Sequence, residues 1–404
     1  MLVTLAGLGC GTAATITAGA REAIMKADCL IGAERLLASL PRECTQRRFP
    51  ATRPQEILAL LLESGAERPC VVYSGDTGFY SGARGLLPLL EERSIPFRVL
   101  PGISSVQLLA ARLGRPWQDW ALHSAHGAEC DVVAAVSQGR PAFFLTGGRL
   151  GPAELCRPLA DAGLGTLAVT VGENLSYETE HIFRGTAAEA AGRTFAPLSV
   201  LLAEAAPRPW SPRTPGMPDG DFIRGQVPMT KQEVRSAALG KLAVGPTDTV
   251  WDVGAGTGSV SVELALAACR GRCYAVECQE EACELIERNR ERFGAWNLTL
   301  VRGKAPEALA DLPAPDAVFI GGTKGTMEQV VAAVLEKNPH ARICVSAIAL
   351  ETLAAATAAL TAHGLEAEVT QISVSRTKAA GALHLLMANN PVFLISAGTS
   401  EVPL

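Results

Sequence analysis

The sequence predicts an α/β protein of two domains joined by a proline-rich linker. Three observations predict this class. Short apolar runs alternate with longer amphipathic runs, glycine-rich loops follow several of the short runs, and six prolines fall within residues 206–228. Alternation of this kind is typical of parallel sheets covered by helices. At about 100–200 residues per domain, 404 residues are enough for two or three domains.

The first half contains both kinds of run. Strands are predicted over residues 3–9, 69–74, 97–100, 142–146, 167–173 and 198–203. Amphipathic periodicity predicts helices over residues 54–64, 81–92, 104–113 and 152–162.

Glycine-bearing loops follow three of these strands, at residues 7–11 (Gly-Leu-Gly-Cys-Gly), 74–80 (Ser-Gly-Asp-Thr-Gly-Phe-Tyr) and 101–105 (Pro-Gly-Ile-Ser-Ser). In open α/β sheets, ligands bind beyond the carboxyl ends of strands. The three loops together predict a ligand cleft, although Ser104 and Ser105 could equally be helix N-cap residues.

The proline cluster sets the domain boundary. Proline fixes φ and lacks a backbone donor, so residues 206–228 cannot form a helix or a central strand. We therefore expect a first domain over residues 1–205, a linker over 206–228 and a second domain over 229–404.

The second half alternates more regularly. Strands are predicted over residues 249–253, 272–277, 298–301, 316–320 and 342–346, and helices over 230–242, 260–268, 280–293, 326–336 and 351–363. Residues 366–375 and 383–395 follow each other without a helix-length insert, which predicts a terminal antiparallel strand pair.

Composition limits the function. The net charge is −5 and the sequence contains no basic run, so it lacks the features of a general nucleic-acid binder. Eleven scattered cysteines indicate reduced thiols in the cytoplasm, and their spacing predicts no metal site. No apolar stretch approaches the ~18 residues that a membrane span needs, and no basic residue precedes the apolar start as in a signal peptide.

The second half has a glycine-rich loop of its own, which follows the strand predicted over residues 249–253. It has the form Asp252-x-Gly254-x-Gly256-Thr257-Gly258, and Glu277 ends the next strand. Glycines at a strand-to-helix turn let the backbone approach a ligand, and the later acid can accept ribose hydroxyls. The G-x-G-x-G spacing, the preceding acid and the antiparallel tail favour S-adenosyl-L-methionine (SAM) over a dinucleotide. Asp252 could then meet the ammonium group of SAM.

Thr230 and Glu233 fit a helix capping box just before this loop. Thr230 would cap the helix and Glu233 would bond back to it. Thr230 could also face the methionine part of SAM.

The first-half loops, together with residues 171–176 (Val-Gly-Glu-Asn-Leu-Ser), resemble the tetrapyrrole (corrin/porphyrin) methylase family. The second half resembles the decarboxylating partner of the same pathway at residues 228–235, 251–264, 305–309, 319–322 and 390–392. In this order the whole chain is similar to the family of fused precorrin-6B (precorrin-6Y) carbon-5,15 methyltransferases (decarboxylating) of cobalamin biosynthesis.

The resemblance implies a two-lobed class III methylase domain for carbon 5. A Rossmann-like class I domain would then methylate carbon 15 and remove the ring C acetate carboxylate, giving precorrin-8X. It implies two SAM sites, and the residues carried over to them are Gly75, Asp76, Phe79, Ser104 and Ser105 in the first domain and Thr230, Gly254, Gly256, Thr257, Gly258, Glu277 and Ala305 in the second.

The chain departs from the family pattern at three positions. Cys10 and Thr77 replace common prolines, and Lys304 stands where an aspartate is usual. The last change puts an adenine contact from that side chain in doubt, although a backbone contact at Ala305 survives.

A polycarboxylate substrate predicts basic contacts. Arg224, Arg235 and Arg376 are the arginine candidates, with Lys231, Lys324 and Lys378 nearby. His126 lies in a Ser-x-His-Gly segment where the resemblance suggests a substrate or catalytic contact. We also expect a homo-oligomer.

Several alternative hypotheses about the substrate and the function remain open. They are a cobalt-bearing macrocycle in place of a metal-free one, a non-catalytic corrin carrier, an RNA or small-molecule methyltransferase fused to an inactive tetrapyrrole module, and a nicotinamide-dependent oxidoreductase.

Overall fold

The computed structural model describes residues 1–41, 43–126, 130–207 and 215–398. The chain forms two compact units. The first comprises Met1–Cys130, Pro141–Arg157 and Thr166–Glu204, and the second comprises Asp131–Arg140, Pro158–Gly165 and Ala205–Leu404. Part of the predicted linker, residues 208–214, lies outside the described residues, as does Gly127 of the Ser-x-His-Gly segment.

Up to residue 203, the described residues form ten strands and eight α-helices. The strands are β1 (Val3–Gly7), β2 (Cys29–Gly32), β3 (Arg47–Pro50), β4 (Pro69–Tyr73), β5 (Phe97–Leu100), β6 (Ala121–Ser124), β7 (Ala142–Leu145), β8 (Ala168–Glu173), β9 (His181–Thr186) and β10 (Ser199–Ala203). The helices are α1 (Ala18–Lys26), α2 (Glu34–Ala38), α3 (Pro54–Glu63), α4 (Ala83–Glu92), α5 (Ser105–Leu113), α6 (Val132–Val136), α7 (Pro152–Leu159) and α8 (Ala187–Ala191).

The strands of the first unit form two five-stranded sheets, which agrees with the predicted two lobes. The first sheet is parallel, with the order β3-β2-β4-β1-β5. The second has the order β6-β7-β10-β8-β9 and is mostly antiparallel. Strands β4, β1 and β5 are neighbours, so the three predicted glycine loops leave the same edge of the first sheet.

In the second unit, the described residues from 215 to 398 form nine strands and five α-helices. The strands are β11 (Thr249–Val253), β12 (Arg272–Glu277), β13 (Leu298–Arg302), β14 (Ala317–Ile320), β15 (Arg342–Ala347), β16 (Glu368–Ile372), β17 (Ser375–Ala380), β18 (Leu383–Ala388) and β19 (Val392–Ala397). The helices are α9 (Gln232–Leu242), α10 (Ser259–Ala267), α11 (Glu280–Phe293), α12 (Met327–Lys337) and α13 (Leu350–Ala362).

Seven of these strands form one sheet with the order β13-β12-β11-β14-β15-β19-β16, in which β19 is antiparallel to both of its neighbours. Strands β17 and β18 form a separate antiparallel hairpin. The predicted antiparallel tail is therefore confirmed. Its second strand, however, is divided into β18 and β19 at Asn389, Asn390 and Pro391, where proline cannot donate to a ladder.

The described end of the predicted linker packs into the second unit. Met217 and Phe222 are buried in the core that also contains Leu239 and Phe293. The side chain of Glu263 accepts hydrogen bonds from the backbone nitrogens of Gly216 (2.6 Å) and Met217 (3.1 Å).

The capping box predicted at Thr230 is wrong. Helix α9 begins at Gln232, and its backbone nitrogen donates to Asp219 Oδ1 at 2.9 Å. Glu233 pairs instead with Arg376 at 2.6 Å. An acceptor thirteen residues upstream thus supplies the cap, because Asp219 is itself held there by Arg235 at 2.8 Å.

None of the helices in the described ranges is long and apolar enough to cross a membrane.

Candidate active sites

The three glycine loops of the first unit come together as predicted. The backbones of Gly9 and Gly75 bond to each other in both directions, at 2.7 and 3.2 Å. A Cβ on Gly102 would lie 2.2 Å from the carbonyl oxygen of Gly75, and one on Gly7 would lie 2.6 Å from it. Glycine is required here because the loops touch backbone to backbone.

Asp76 joins two of these loops. Its carboxylate accepts hydrogen bonds from the backbone nitrogens of Gly78 (2.9 Å) and Gly102 (3.0 Å). The third loop continues into α5, where Ser104 is the N-cap and its backbone nitrogen donates to Gln107 at 2.8 Å. The capping role considered for Ser104 is therefore confirmed.

A cavity of about 430 Å³ lies beside these loops. Its lining includes all the first-domain candidates, namely Gly75, Asp76, Phe79, Ser104, Ser105 and His126. The volume is in the usual range for small-molecule sites, ~300–1,000 Å³.

His126 is exposed at this cavity, and its imidazole stands against Gly147. A Cβ on Gly147 would lie 1.9 Å from His126 Nδ1. The backbone nitrogen of His126 donates to the hydroxyl of Ser124 at 3.3 Å. The absence of a side chain at Gly147 thus makes the room that the imidazole occupies.

The lining also includes Arg35, which the sequence reasoning missed. Its guanidinium donates to the Tyr177 hydroxyl at 3.4 Å. These residues are 142 positions apart, so no local pattern could have indicated the pair.

The second unit has a larger cavity, of about 760 Å³. Of the predicted residues, it is lined by Thr230, Gly254, Gly256, Glu277 and Ala305. Asp252, Thr257 and Gly258 lie outside its lining. The hairpin end adds Asn389 and Asn390, which no sequence motif singled out as polar contacts.

Two glycine loops pack against each other at this cavity. A Cβ on Gly254 would lie 2.3 Å from the carbonyl oxygen of Gly322, and Gly254 has a φ of +74°. Gly256 has a φ of +56°. A side chain at either position would strain the backbone, and one at Gly254 would also clash with Gly322, so glycine allows the two loops to pack closely at the edge of the cavity.

Glu277 closes the loop from the next strand. Its carboxylate accepts hydrogen bonds from the backbone nitrogens of Gly256 (3.0 Å), Cys278 (2.7 Å) and Gln279 (2.9 Å). A carboxylate offers about four lone-pair sites, so roughly one remains for a ligand hydroxyl.

Asp252 is buried beneath the loop, with 1% of its surface exposed. Its Oδ2 bonds to the hydroxyl of Ser261, and its Oδ1 has no hydrogen-bond partner within the described part of the chain. Burial raises the pKa of Asp252 to about 7, and the nearby charge of Glu277 adds to the rise. This placement gives Asp252 no direct path to the cavity.

Two of the three arginines proposed as carboxylate ligands pair with carboxylates of the protein instead. Arg235 is fully buried and pairs with Asp219 (2.8 Å) and Glu263 (2.7 Å), so its predicted role is wrong. Arg376 pairs with Asp219 (2.9 Å) and Glu233 (2.6 Å). Arg224 and Lys378 lie outside the cavity lining, whereas Lys231 and Lys324 belong to it, as does Lys304.

The cysteine cluster of this unit is only partly core. Cys273 and Cys283 are buried, whereas Cys269 and Cys278 are exposed. Cys278 lines the cavity and lies 3.5 Å from Lys324 Nζ.

Known proteins resemble both units. Residues 2–191 match the family described as "Tetrapyrrole (Corrin/Porphyrin) Methylases", whose methyl donor is SAM, and residues 222–398 match "Precorrin methyltransferase domain".

Two relatives are informative because of the share of this chain, or of their own length, that the match covers. A "Precorrin-6Y C(5,15)-methyltransferase [decarboxylating]" from a Sinorhizobium species is 33% identical over 83% of this chain and 81% of its own length. A "Probable cobalt-precorrin-6B C(15)-methyltransferase (decarboxylating)" from Pyrobaculum calidifontis is 48% identical over 46% of this chain and 98% of its own length.

Among solved structures, "Precorrin-6y C5,15-methyltransferase" from Geobacter metallireducens is 38% identical. The match covers 46% of this chain and 99% of that one, with a TM-score of 0.44.

Proposed function

Because the chain belongs to the family of precorrin-6Y C(5,15)-methyltransferases (decarboxylating), we propose that it methylates a precorrin macrocycle at carbons 5 and 15 and removes the carboxylate of the ring C acetate. The product would be precorrin-8X of cobalamin biosynthesis. The observation that carries the proposal is the presence of two unlike glycine-lined cavities, one in each unit.

We assign carbon-5 methylation to the first unit and carbon-15 methylation with decarboxylation to the second. The division is supported by the Pyrobaculum relative, which is named for the carbon-15 and decarboxylating steps alone. That relative is matched over 191 residues, so these steps need only about half of a chain of this length. The second unit contains the precorrin methyltransferase domain.

Both cavities have volumes in the range of small-molecule sites, and we propose one SAM site in each. In the second unit, the methionine part of SAM would lie against Gly254 and Gly256. A ribose hydroxyl of SAM would donate a hydrogen bond to the remaining acceptor site of Glu277. In the first unit, SAM would bind to the loops joined by Asp76 and to Ser104 and Ser105. SAM supplies a methyl group already activated on a sulfonium.

The protein's contribution is then positioning and exclusion of water, which together can lower a barrier by ~7–11 kcal/mol. In each methylation an electron-rich ring carbon would form the bond to the methyl group, while the sulfur–methyl bond of SAM would break and S-adenosylhomocysteine would leave. In the decarboxylation, the carbon–carbon bond to the carboxylate breaks and carbon dioxide leaves. The electron pair passes into the conjugated macrocycle, and a proton from water completes the side-chain methyl group.

His126 is our candidate for a catalytic or substrate contact in the first unit, supported by its place at the cavity opposite Gly147. Its test is the rate of carbon-5 methylation in His126→Gln.

A cobalt-bearing macrocycle is the second candidate substrate, because the relative with 48% identity is named for it. Parallel assays of the purified chain with the metal-free and the cobalt-bearing macrocycle decide between the two.

We further propose a cytoplasmic homo-oligomer that does not bind nucleic acid. The hairpin β17–β18 supports self-association, because β18 presents Leu383, Leu385, Leu386 and Met387 at 48–73% exposure. A patch of this kind is typical of an interface.

Isothermal titration with S-adenosylhomocysteine tests the number of sites. We expect two binding events of unequal affinity for the full chain. No binding at all would refute the proposed function. Macrocycle binding without methyl transfer would point to the carrier instead.

A further inference from the structure

Three lysines line the cavity of the second unit. Lys231 directly precedes α9, Lys304 follows β13, and Lys324 follows β14. They thus reach the cavity from three different elements. No carboxylate of the described residues lies within 4.0 Å of any of their ammonium groups.

The protein provides little negative charge to balance them. Glu277 is the single carboxylate among the described lining residues. Its oxygens already accept three backbone hydrogen bonds, at 2.7–3.0 Å. Unpaired like charges around one cavity repel each other, so the arrangement favours an anionic ligand.

SAM does not supply that anion. It has one carboxylate but also an ammonium and a sulfonium, so its binding adds positive charge to the cavity. A ligand with several carboxylates would neutralise all three lysines. The macrocycle of the proposed function is such a ligand.

Resting on that function, we propose that Lys231, Lys304 and Lys324 form a subsite for those macrocycle carboxylates that the reaction retains. The carboxylate that leaves lies away from the three ammonium groups. An ion pair would stabilise its charge in the ground state, and that charge is lost as carbon dioxide departs, so pairing it would slow the reaction.

Lys304 gives the subsite a feature particular to this chain, because an aspartate is usual at that position in the family it resembles. Exchange of an acid for an ammonium group changes the local charge by two. We therefore expect Lys304 to adjust macrocycle affinity rather than cofactor affinity.

The test measures the second-site reaction of the full chain, with kcat and KM for the macrocycle taken from the decarboxylated product by mass spectrometry. The variants are Lys231→Gln, Lys304→Gln and Lys324→Gln. Lys26→Gln is the matched control, since it removes the same charge from the exposed surface of α1 in the first unit, outside this cavity. Binding of S-adenosylhomocysteine is measured in parallel.

Each cavity variant should raise KM for the macrocycle by about 3- to 10-fold, the range for charge-assisted contacts that are partly screened. Cofactor affinity and kcat should change by less than about 2-fold, and Lys304→Arg should restore KM. The KM of the wild type should rise with salt, and that rise should be smaller in each variant.

Unchanged KM values in variants of an active enzyme would overturn the subsite and leave the proposed function intact. Loss of cofactor binding with KM for the macrocycle retained would also overturn it. A wild type without decarboxylase activity would instead contradict the proposed function.

Discussion

Asp252→Asn should remove a large part of the pH dependence of stability of the second unit. The carboxyl is buried, bonds to the Ser261 hydroxyl through Oδ2, and has a pKa of about 7 in the fold. Asparagine has the same shape as the neutral acid and can keep the bond to Ser261. The substitution therefore removes a titration without removing volume.

The sign and size follow from the two pKa values. The ordinary value is 3.8 and the folded value is about 7, so between these limits the folded chain holds a proton that the unfolded chain has lost. Stability from this group is complete below about pH 4, falls as pH rises, and is constant above pH 7. The two pKa values of Asp252 differ by about three, which corresponds to about 4 kcal/mol of unfolding free energy at ~1.4 kcal/mol per pH unit.

The assay is calorimetric unfolding of the full chain at pH 5 and pH 8. As pH rises from 5 to 8, the midpoint temperature of the transition assigned to the second unit should fall more in the wild type than in Asp252→Asn. Between pH 5 and pH 8 the change covers about two of these three pH units, so a difference near 3 kcal/mol would move the midpoint of a unit of this size by about 8 °C. The exposed Asp311 supplies the control, because Asp311→Asn should keep the wild-type dependence.

Equal pH dependence in wild type and Asp252→Asn would refute the reasoning. It would mean that Asp252 keeps one charge state across this range in the fold.

The remaining predictions concern glycines and the hairpin. Gly254→Ala places a Cβ 2.3 Å from Gly322 O at a φ of +74°, so second-site cofactor affinity should fall at least about 10-fold by titration. Gly240→Ala, a helix position with open space, should be neutral or slightly stabilising, and equal behaviour of the two would contradict the loop argument. Gly147→Ala should displace His126 and slow carbon-5 methylation as much as His126→Gln does. A normal rate in Gly147→Ala, with a slow rate in His126→Gln, would show that the space at Gly147 does not position His126. Leu386→Glu should lower the mass measured by light scattering, and an unchanged mass would remove the hairpin from the interface.

The second half of the fold follows from sequence almost strand by strand. Its strands include continuous apolar runs such as β14, because both faces of a parallel sheet are covered. Fewer of the strands in the first half could be predicted from the sequence. Strand β3, Arg-Arg-Phe-Pro, is mostly exposed at the edge of its sheet, and β2 has only four residues, so neither shows a pattern.

The sites divide in the same way. Glycine loops and Glu277 could be located because strand ends and backbone requirements are local. The partners of Arg235 and the cap of α9 could not, because both depend on Asp219, which reaches them through tertiary packing. Arg235 therefore looked like a substrate ligand in sequence but is an internal ion pair.

The division of labour between the units is the central claim, and the product mass of Gly254→Ala tests it most directly. With macrocycle and SAM, the wild type should yield a product that has gained two methyl groups and lost carbon dioxide. The folded Gly254→Ala chain should yield a product with one added methyl group and all its carboxylates. Loss of both methylations in that variant, or continued loss of carbon dioxide, would contradict the account.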